Sequence, residues 1–315
     1  MTMLRKIRVR AYCSTANLGP GFDVLALALD AFYDEVEIEV LKKGLLEVDF
    51  VNVDNIPSDP RQNTAGLAAL SFMKRLGIKA GVRIRVYKGV PIGMGLGSSG
   101  ATAAATVVAL AKLFGVKLDH NELIEIAAQG EIASAGAPHA DNVSASVLGG
   151  FVLIRSYEPL DVIPLRGSSR AIIVLAMPQI KVPAKKTELA RKVLPKHIPL
   201  KHMVHNVGHA ATIVAGILLD RPDLIGRGMH DVVVEPARAK LIPAYHRVKE
   251  YALRAGAYGV AVSGAGPSMI AITDTREKAR EIAKAMERAY REEGIDVRLL
   301  ITRPGPPAQV IMKSS

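Results

Sequence analysis

One short segment constrains this chain more than any other: Pro91-Ile-Gly-Met-Gly-Leu-Gly-Ser-Ser-Gly-Ala101. It is a glycine-rich loop that runs directly into an Ala-rich apolar stretch reaching Phe114. Gly93, Gly95, Gly97 and Gly100 let the backbone bend tightly and bring its N–H groups close to a ligand. Ser98 and Ser99 stand where a helix N-terminus is usually capped. The first turn of such a helix leaves unpaired N–H donors at the positive end of its dipole. Together these features make an anion site that needs no basic side chain. A plain turn followed by a Ser-capped helix is the competing reading.

The segment differs from two better-known phosphate loops. A Walker A loop carries a Lys before its Ser or Thr, whereas Gly97 precedes Ser98 and no Lys lies between Pro91 and Ala111. The Rossmann fingerprint is also excluded, because the glycines alternate and then lead into a serine pair.

Periodicity organises the rest. Residues 6–12, 35–40 and 82–88 alternate apolar and polar, as strands with one wet face do. Helices are expected near 64–76, 98–114 and 121–134, the last with Asp119 and Glu122 in capping-box spacing. Gly149-Gly150 leads into an apolar strand at 151–154. The mixed stretch Glu158 to Arg170 reads as a loop and a domain boundary. Beyond it come a strand at 171–177 and helices near 187–194, 203–219 and 238–255. Strands at 258–263 and 268–273 flank Gly264-Ala-Gly266. A charged helix at 276–293, with Glu287 and Arg291 four apart, precedes a strand at 295–301. No internal repeat is visible. The pattern predicts a two-domain α+β protein divided into residues 1–160 and 161–315.

Composition narrows the class. The chain has 315 residues, 49% hydrophobic and 23% charged, which suits a protein with a substantial core. The longest apolar run, near Ala101 to Ala111, is too short to cross a bilayer, and the first ten residues lack the apolar core of a signal peptide. Cys13 is the only cysteine, so an intrachain disulfide and a cysteine-based zinc site are excluded. It reads as a small core residue, and the cytoplasm as the natural compartment. A net charge of +11 raises nucleic-acid binding, but the basic residues are scattered apart from Lys181 to Lys201 and the helix near 276–291. Only 4% of residues are aromatic, which leaves few platforms for stacking bases. A positive field serves equally to collect anionic small molecules.

Pro91–Ala101 resembles the second motif of the GHMP superfamily (galactokinase, homoserine kinase, mevalonate kinase, phosphomevalonate kinase), whose members pass the γ-phosphoryl group of ATP to small alcohols. Ser14-Thr-Ala-Asn-Leu-Gly-Pro-Gly-Phe-Asp23 resembles the first motif, in the form seen in homoserine kinases. Ser263-Gly-Ala-Gly-Pro-Ser268 resembles the third. His139-Ala-Asp-Asn142 and Glu235-Pro-Ala-Arg-Ala-Lys-Leu-Ile-Pro243 are similar to homoserine kinases as well, and the five segments occur in the family's order. Two departures precede and open the first motif. Tyr12 and Cys13 stand where Pro and Ala are common, and Ser14-Thr15 reverses the usual order of hydroxyls.

The resemblance implies an N-terminal domain like the second domain of ribosomal protein S5 and a ferredoxin-like C-terminal domain. It implies ATP bound by Pro91, Ile92, Gly93, Met94, Gly95, Leu96, Gly97, Ser98, Ser99, Gly100 and Ala101. Mg²⁺ would be held by Ser98 and Glu131, a hydroxyl and a carboxylate of the kind Mg²⁺ takes alongside phosphates and waters. Ser263, Gly264, Ala265 and Gly266 would lie near the phosphates. An amino-acid acceptor, L-homoserine, would be bound by Asn17, Asp23, His139, Asp141, Arg191 and Arg238. Asp23 and Asp141 suit an ammonium, and the planar fork of Arg238 suits a carboxylate. Asn142 joins Ser98 and Glu131 as a catalytic residue. Its amide cannot take a proton, so positioning and charge stabilisation would carry the rate; Asp141 as a general base is the alternative. A homodimer is implied, with neither nucleic acid nor membrane as partner. Kinases of mevalonate, shikimate or threonine, and a non-catalytic relative that binds nucleic acid or protein, are the alternatives. His197, His202, His205 and His209 invite a metal reading, since the last three share a helix face. They are read instead as surface or interface residues, because the kinase reading needs no transition metal.

Overall fold

A computed structural model describes residues 5–41, 44–167, 170–183 and 186–314, except for the side chains of Ser134 and Ala135. The opening residues 1–4, and Lys185 in the basic run, lie outside this description. The strands are β1 (Lys6–Asn17), β2 (Gly21–Leu41), β3 (Leu46–Phe50), β4 (Gly81–Tyr87), β5 (Phe151–Tyr157), β6 (Leu160–Leu165), β7 (Ile172–Pro178), β8 (Gly259–Val262), β9 (Met269–Thr273), β10 (Val297–Thr302) and β11 (Gln309–Ser314). The helices are α1 (Thr64–Arg75), α2 (Ser98–Leu113), α3 (His120–Ala128), α4 (Ile132–Ala135), α5 (Asp141–Leu148), α6 (Lys186–Lys192), α7 (Leu200–Leu218), α8 (Pro222–Gly228), α9 (Val234–Arg238), α10 (Tyr245–Arg254) and α11 (Arg276–Arg291).

Two sheets result. The first is seven-stranded, in the order β11-β1-β2-β4-β3, with β5 pairing the front of β2 and β6 pairing β5. Only β3 and β4 are parallel among its pairs. The long β2 meets β1 along its length, with a register shift between Tyr12 and Ser14. The second sheet runs β10-β7-β9-β8, antiparallel throughout. Taken in chain order as β7, α10, β8, β9, α11, β10, it is the split β-α-β-β-α-β arrangement of ferredoxin-like domains. The mixed α+β expectation holds.

Period-2 alternation explains how the two sheets share a core. Ile173, Leu175, Met177, Ile270 and Ile272 point to one face and join the main core with the first sheet. Val174, Ala176, Met269 and Ala271 point to the other, where Val248 and Ala252 of α10 and Ile282, Met286 and Tyr290 of α11 cover them. The helix α2 lies at the centre of the main core. Gly100 to Ala111 are all buried, as a helix apolar all round must be. Its small side chains let β1, β2, α1, α3 and α5 approach from several sides. Cys13 is fully buried against this core, and burial pushes its thiol up to about 12. The capping box at Asp119 and Glu122 forms, and Glu287 pairs with Arg291 at 3.3 Å.

Several expectations change. Residue Gly97, not a serine, caps α2, with φ +62 and no side-chain hydrogen bond. Ser98 instead donates its hydroxyl to the Val90 carbonyl at 3.1 Å. The helix expected at 121–134 stops at Ala128 and continues as a tight turn, Gln129–Glu131, before α4. The helix expected at 238–255 is broken around Pro243, which cannot continue a helical ladder, and α10 starts only after Ala244 at φ +54. The stretch 158–170 holds β6, whose Pro164 is tolerated because the strand is an edge. A division of the chain by sheets therefore falls between β6 and β7 rather than at 160/161, and β11 returns the last described residues to the first sheet beside β1. The helices α5, α8 and α9 and the strands β3 and β11 were not foreseen.

Candidate active site

The glycine loop, the start of α2 and the three motif loops surround one cleft of about 600 Å³. Why the loop takes its path is plain from its glycines. Gly93, Gly95 and Gly97 all have positive φ. A Cβ on Gly95 would lie 2.3 Å from the Ser263 carbonyl oxygen, and one on Gly97 would lie 2.2 Å from Ser14 Oγ. No side chain fits at either place. The second and third motifs are thus in backbone contact, and Ser263 fixes the junction by donating to the Gly95 carbonyl at 2.8 Å.

The first motif enters from below. The Ser14 N–H donates to the Leu96 carbonyl at 3.0 Å, and the Ser14 hydroxyl donates to Asn142 Oδ1 at 2.9 Å. The Asn17 amide donates to the Gly264 carbonyl at 2.9 Å and accepts from the Asp23 N–H at 3.1 Å. Asn17, Leu18 and Asp23 all have positive φ. Such strain in non-glycine residues, held by surrounding contacts, concentrates at functional sites.

Acidic groups gather at the next wall. Glu131, in the tight turn after α3, and Asp141, the first residue of α5, are both buried. Burial is the main reason that Glu131 is pushed up to about 7; Asp141 adds to the effect, while a hydrogen bond with Ser99 and the Lys88 charge oppose it. Asp141 is pushed up to about 6, again by burial first and then by Asp23, against hydrogen bonds from Asn142. The Asn142 N–H reaches Asp141 Oδ1 at 2.7 Å.

Facing them are cations. The Arg191 guanidinium holds both Asp23 carboxylate oxygens, at 2.9 and 3.0 Å, and sits 3.3 Å from His139 Nδ1. Arg238 donates to the Ala190 carbonyl at 3.0 Å and the Gly264 carbonyl at 3.2 Å. Burial, with Arg191 next, lowers its guanidinium to about 10. Both guanidinium groups lie over the Phe22 ring, at 5.3 and 5.0 Å. Burial and then Arg191 also lower His139. Among the described residues, Arg191 Nε and His139 Nε2 are buried with no hydrogen-bond partner. Buried polar groups are normally satisfied, and these two lie on the cleft wall.

Most of the expected residues line this cleft: Asn17, Asp23, Ser98, Ser99, Glu131, His139, Asp141, Asn142, Arg191, Arg238, Gly264 and Ala265, with Pro91, Ile92, Gly93, Gly95, Leu96 and Gly97. Met94, Gly100, Ala101, Ser263 and Gly266 lie behind it and do not line it.

Three features escaped the sequence. Lys88, almost fully buried, pairs with the fully buried Asp34 and donates to the Ser98 carbonyl at 2.9 Å and Thr102 Oγ1 at 2.8 Å. Asp34 in turn accepts from the Gly89 and Val90 N–H groups, which fixes the entry to the loop. Lys186 donates to the Gly93 carbonyl at 2.8 Å and to the Gly266 carbonyl, joining two glycine loops. Burial, and then Arg238, bring its amine down to about 8. The third feature is a far wall made of Phe50, Asn55, Ile56, Pro57 and Gln62. Lys88 was detectable as a lone cation between an alternating strand and the glycine loop. Nothing local in the sequence marks the other two.

The family model of the GHMP kinases N terminal domain matches residues 63–150, and that of the GHMP kinases C terminal matches residues 213–292. The chain is 41% identical over 292 residues to a homoserine kinase of Thermoplasma volcanium, covering 93% of this chain and 92% of that one. It is 42% identical over 298 residues to one from Thermoplasma acidophilum, covering 95% and 94%. The crystal structure of homoserine kinase from Cytophaga hutchinsonii superposes with a TM-score of 0.91 at 37% identity, covering 99% of each chain.

Proposed function

Since this chain belongs to the GHMP kinases, and within them to the homoserine kinases, we propose that its cleft transfers the γ-phosphoryl group of ATP to the side-chain hydroxyl of L-homoserine. The observation that carries the proposal is the meeting, in one cleft, of an anion-binding helix start with buried carboxylates and the guanidinium groups that face them. The first part takes a triphosphate and the second takes the two charged ends of an amino acid.

The glycine loop presents main-chain N–H groups to the phosphates at the positive end of α2. The apolar wall of Phe50, Ile56 and Pro57 takes the nucleoside. Ser98 and Glu131 would hold Mg²⁺. Their donor set is right for a hard cation, and a dication offsets the burial, and after it the nearby Asp141, that raise Glu131. When bound, Mg²⁺ neutralises charge on the β- and γ-phosphates.

Homoserine enters between Asp23 and Arg191. These two neutralise each other without substrate, and a zwitterion can replace that pairing by bringing its own opposite charges. Its ammonium goes to Asp23 and Asp141, and its carboxylate to Arg191 and Arg238. His139 orients Arg191 through the contact at Nδ1. The hydroxyl oxygen then bonds to the γ-phosphorus as the bond to the bridging oxygen of ADP breaks. Asn142 is held by Ser14 and next to Asp141, and its amide positions the hydroxyl without accepting the proton. That proton leaves late, to a phosphoryl oxygen. Placement and electrostatics supply the acceleration.

Among the described residues no helix is long and apolar enough to cross a membrane, and we place the enzyme in the cytoplasm. A homodimer is supported by α7, whose Leu200, Val204, Val207 and Leu218 are 71, 63, 61 and 59% exposed. They repeat at steps of four, three and eleven residues along one helix face. The decisive assay is ADP release with L-homoserine, L-threonine, mevalonate and shikimate in parallel. Homoserine should dominate, and a dominant rate with any of the others would overturn the choice of acceptor.

A further inference from the structure

We propose that His205, His209 and His230 form a binding site for a divalent transition-metal ion of the Zn²⁺, Co²⁺ or Ni²⁺ class, outside the kinase cleft. The sequence shows His205 and His209 as one helical pair among four histidines of a single stretch. The fold adds His230, from the connection between α8 and α9, and leaves His197 and His202 out. The three residues present ring nitrogens that all lie within 4.8 Å of one another.

The hydrogen bonds fix which atoms are available. His209 Nδ1 lies 2.9 Å from the His205 carbonyl oxygen, so it carries the proton and leaves the Nε2 lone pair free. His205 and His209 are one turn apart, with rings stacked at 3.8 Å and inclined by 18°. His205 Nε2 lies 3.2 Å from the His230 carbonyl oxygen and 3.0 Å from His230 Nδ1, so it carries the proton and donates to both. Ligation through His205 Nε2 moves its proton to Nδ1, since a metal-bound neutral imidazole keeps one N–H, and the contact to His230 opens. Zinc takes imidazole nitrogen at about 2.0–2.1 Å in a tetrahedral set. The rings of His205, His209 and the exposed His230 all turn to aim their nitrogens at one ion, with the fourth position left to water.

The neighbours permit the ion. Asp231 is not a fourth ligand, because its carboxylate already accepts from Asn206 and from the N–H groups of Val233, Val234 and Glu235. Lys249 is the nearby cation that would oppose a metal, but it is paired with Glu235 at 2.8 Å. The three nitrogens are borderline-soft donors, unlike the oxygens of Ser98 and Glu131, so the site favours a late transition metal over Mg²⁺. Filled, it would clip α7 to the segment that leads through Asp231 into α9 and Arg238.

The test uses the full chain without an affinity tag, stripped with a chelator and held in excess Mg²⁺ without nucleotide. Titration with Co²⁺ should show one ion per chain with the visible spectrum of a four- or five-coordinate site. Zn²⁺ should displace it and raise the melting temperature. His230→Ala and His209→Gln should each weaken binding by ~100-fold and abolish the shift, while His202→Ala should leave both unchanged. Melting and kinase turnover of the metal-free variants establish that they are folded. His230 lies on an exposed connection, so its variant decides the matter if a helix variant fails to fold. Undiminished Co²⁺ binding by His230→Ala, loss through His202→Ala instead, or no micromolar binding by the parent chain would each overturn the proposal.

Discussion

Gly97→Ala isolates the close approach on which the nucleotide cradle depends. Gly97 caps α2 at φ +62, and a Cβ there would lie 2.2 Å from Ser14 Oγ and 2.8 Å from Asn142 Oδ1. Gly77 is the matched control: its φ is +65, and a Cβ would meet nothing within 4 Å. Both substitutions force alanine into the left-handed region, at roughly 1–2 kcal/mol. Only Gly97→Ala must also separate Ser14 from Asn142. Ser14 is fully buried, and stranding such a hydrogen-bonding group costs about 1–3 kcal/mol. The expected losses are therefore roughly 2–5 kcal/mol for Gly97→Ala and roughly 1–2 kcal/mol for Gly77→Ala. Urea unfolding of both variants measures the difference, and calorimetry with a non-hydrolysable ATP analogue measures the cradle itself. Nucleotide affinity should fall at least ~10-fold in Gly97→Ala, the equivalent of one stranded hydrogen bond, and stay unchanged in Gly77→Ala. Equal stability losses in the two variants, within ~0.5 kcal/mol, would refute the reasoning.

Three further outcomes follow from the same geometry. Asp141→Ala should raise the homoserine KM by ~10–100-fold, the worth of a charge-assisted hydrogen bond, and leave the ATP KM nearly unchanged in initial-rate kinetics; a normal homoserine KM would contradict the assignment. Glu131→Gln should stabilise the ligand-free chain at pH 8 by an amount on the order of 3 kcal/mol while abolishing Mg²⁺-dependent turnover. The sign comes from a folded-state pKa of about 7 against an ordinary 4.5: the folded chain holds the extra proton, so stability falls as pH rises through that window, and the variant lacks this loss. Urea melts at pH 5 and pH 8 check it, and a variant less stable than its parent at pH 8 would count against it. Val204→Glu with Val207→Glu should convert a dimer to an active monomer in sedimentation velocity, and a parent chain that sediments as a monomer would end the dimer proposal.

What the sequence revealed was chiefly local. The loop at Pro91–Ala101 announces itself because its glycines sit at backbone positions that exclude a Cβ. The strands β7 and β9 were readable as apolar runs because each buries both faces against different helices or sheets. By contrast, β6 and β11 are short edge strands carrying or following proline, so their composition imitates a loop. The helix α5 is only eight residues long, too short for its periodicity to stand out. Lys186 and His230 matter through partners far away in the chain, Gly93 at 93 residues' separation and His205 at 25. No spacing rule within a segment records such a meeting.

The cleft also gathers features that a chain selected for stability alone would avoid. Asn17, Leu18 and Asp23 hold strained backbone within seven residues. Two buried acids face a buried arginine, and Arg191 and His139 leave buried nitrogens unsatisfied. Each of these costs on the order of 1–3 kcal/mol. They persist because the helix α2, buried along its length, and the two shared sheet faces over-determine the backbone around them. The pattern has a functional logic. The proposed nucleotide, cation and zwitterion would bring opposite charges and donors to these groups, so their binding energy would relieve groups the fold already holds in place. In the proposed reaction, rigid support behind such a surface would position the acceptor hydroxyl for transfer by placement and electrostatics.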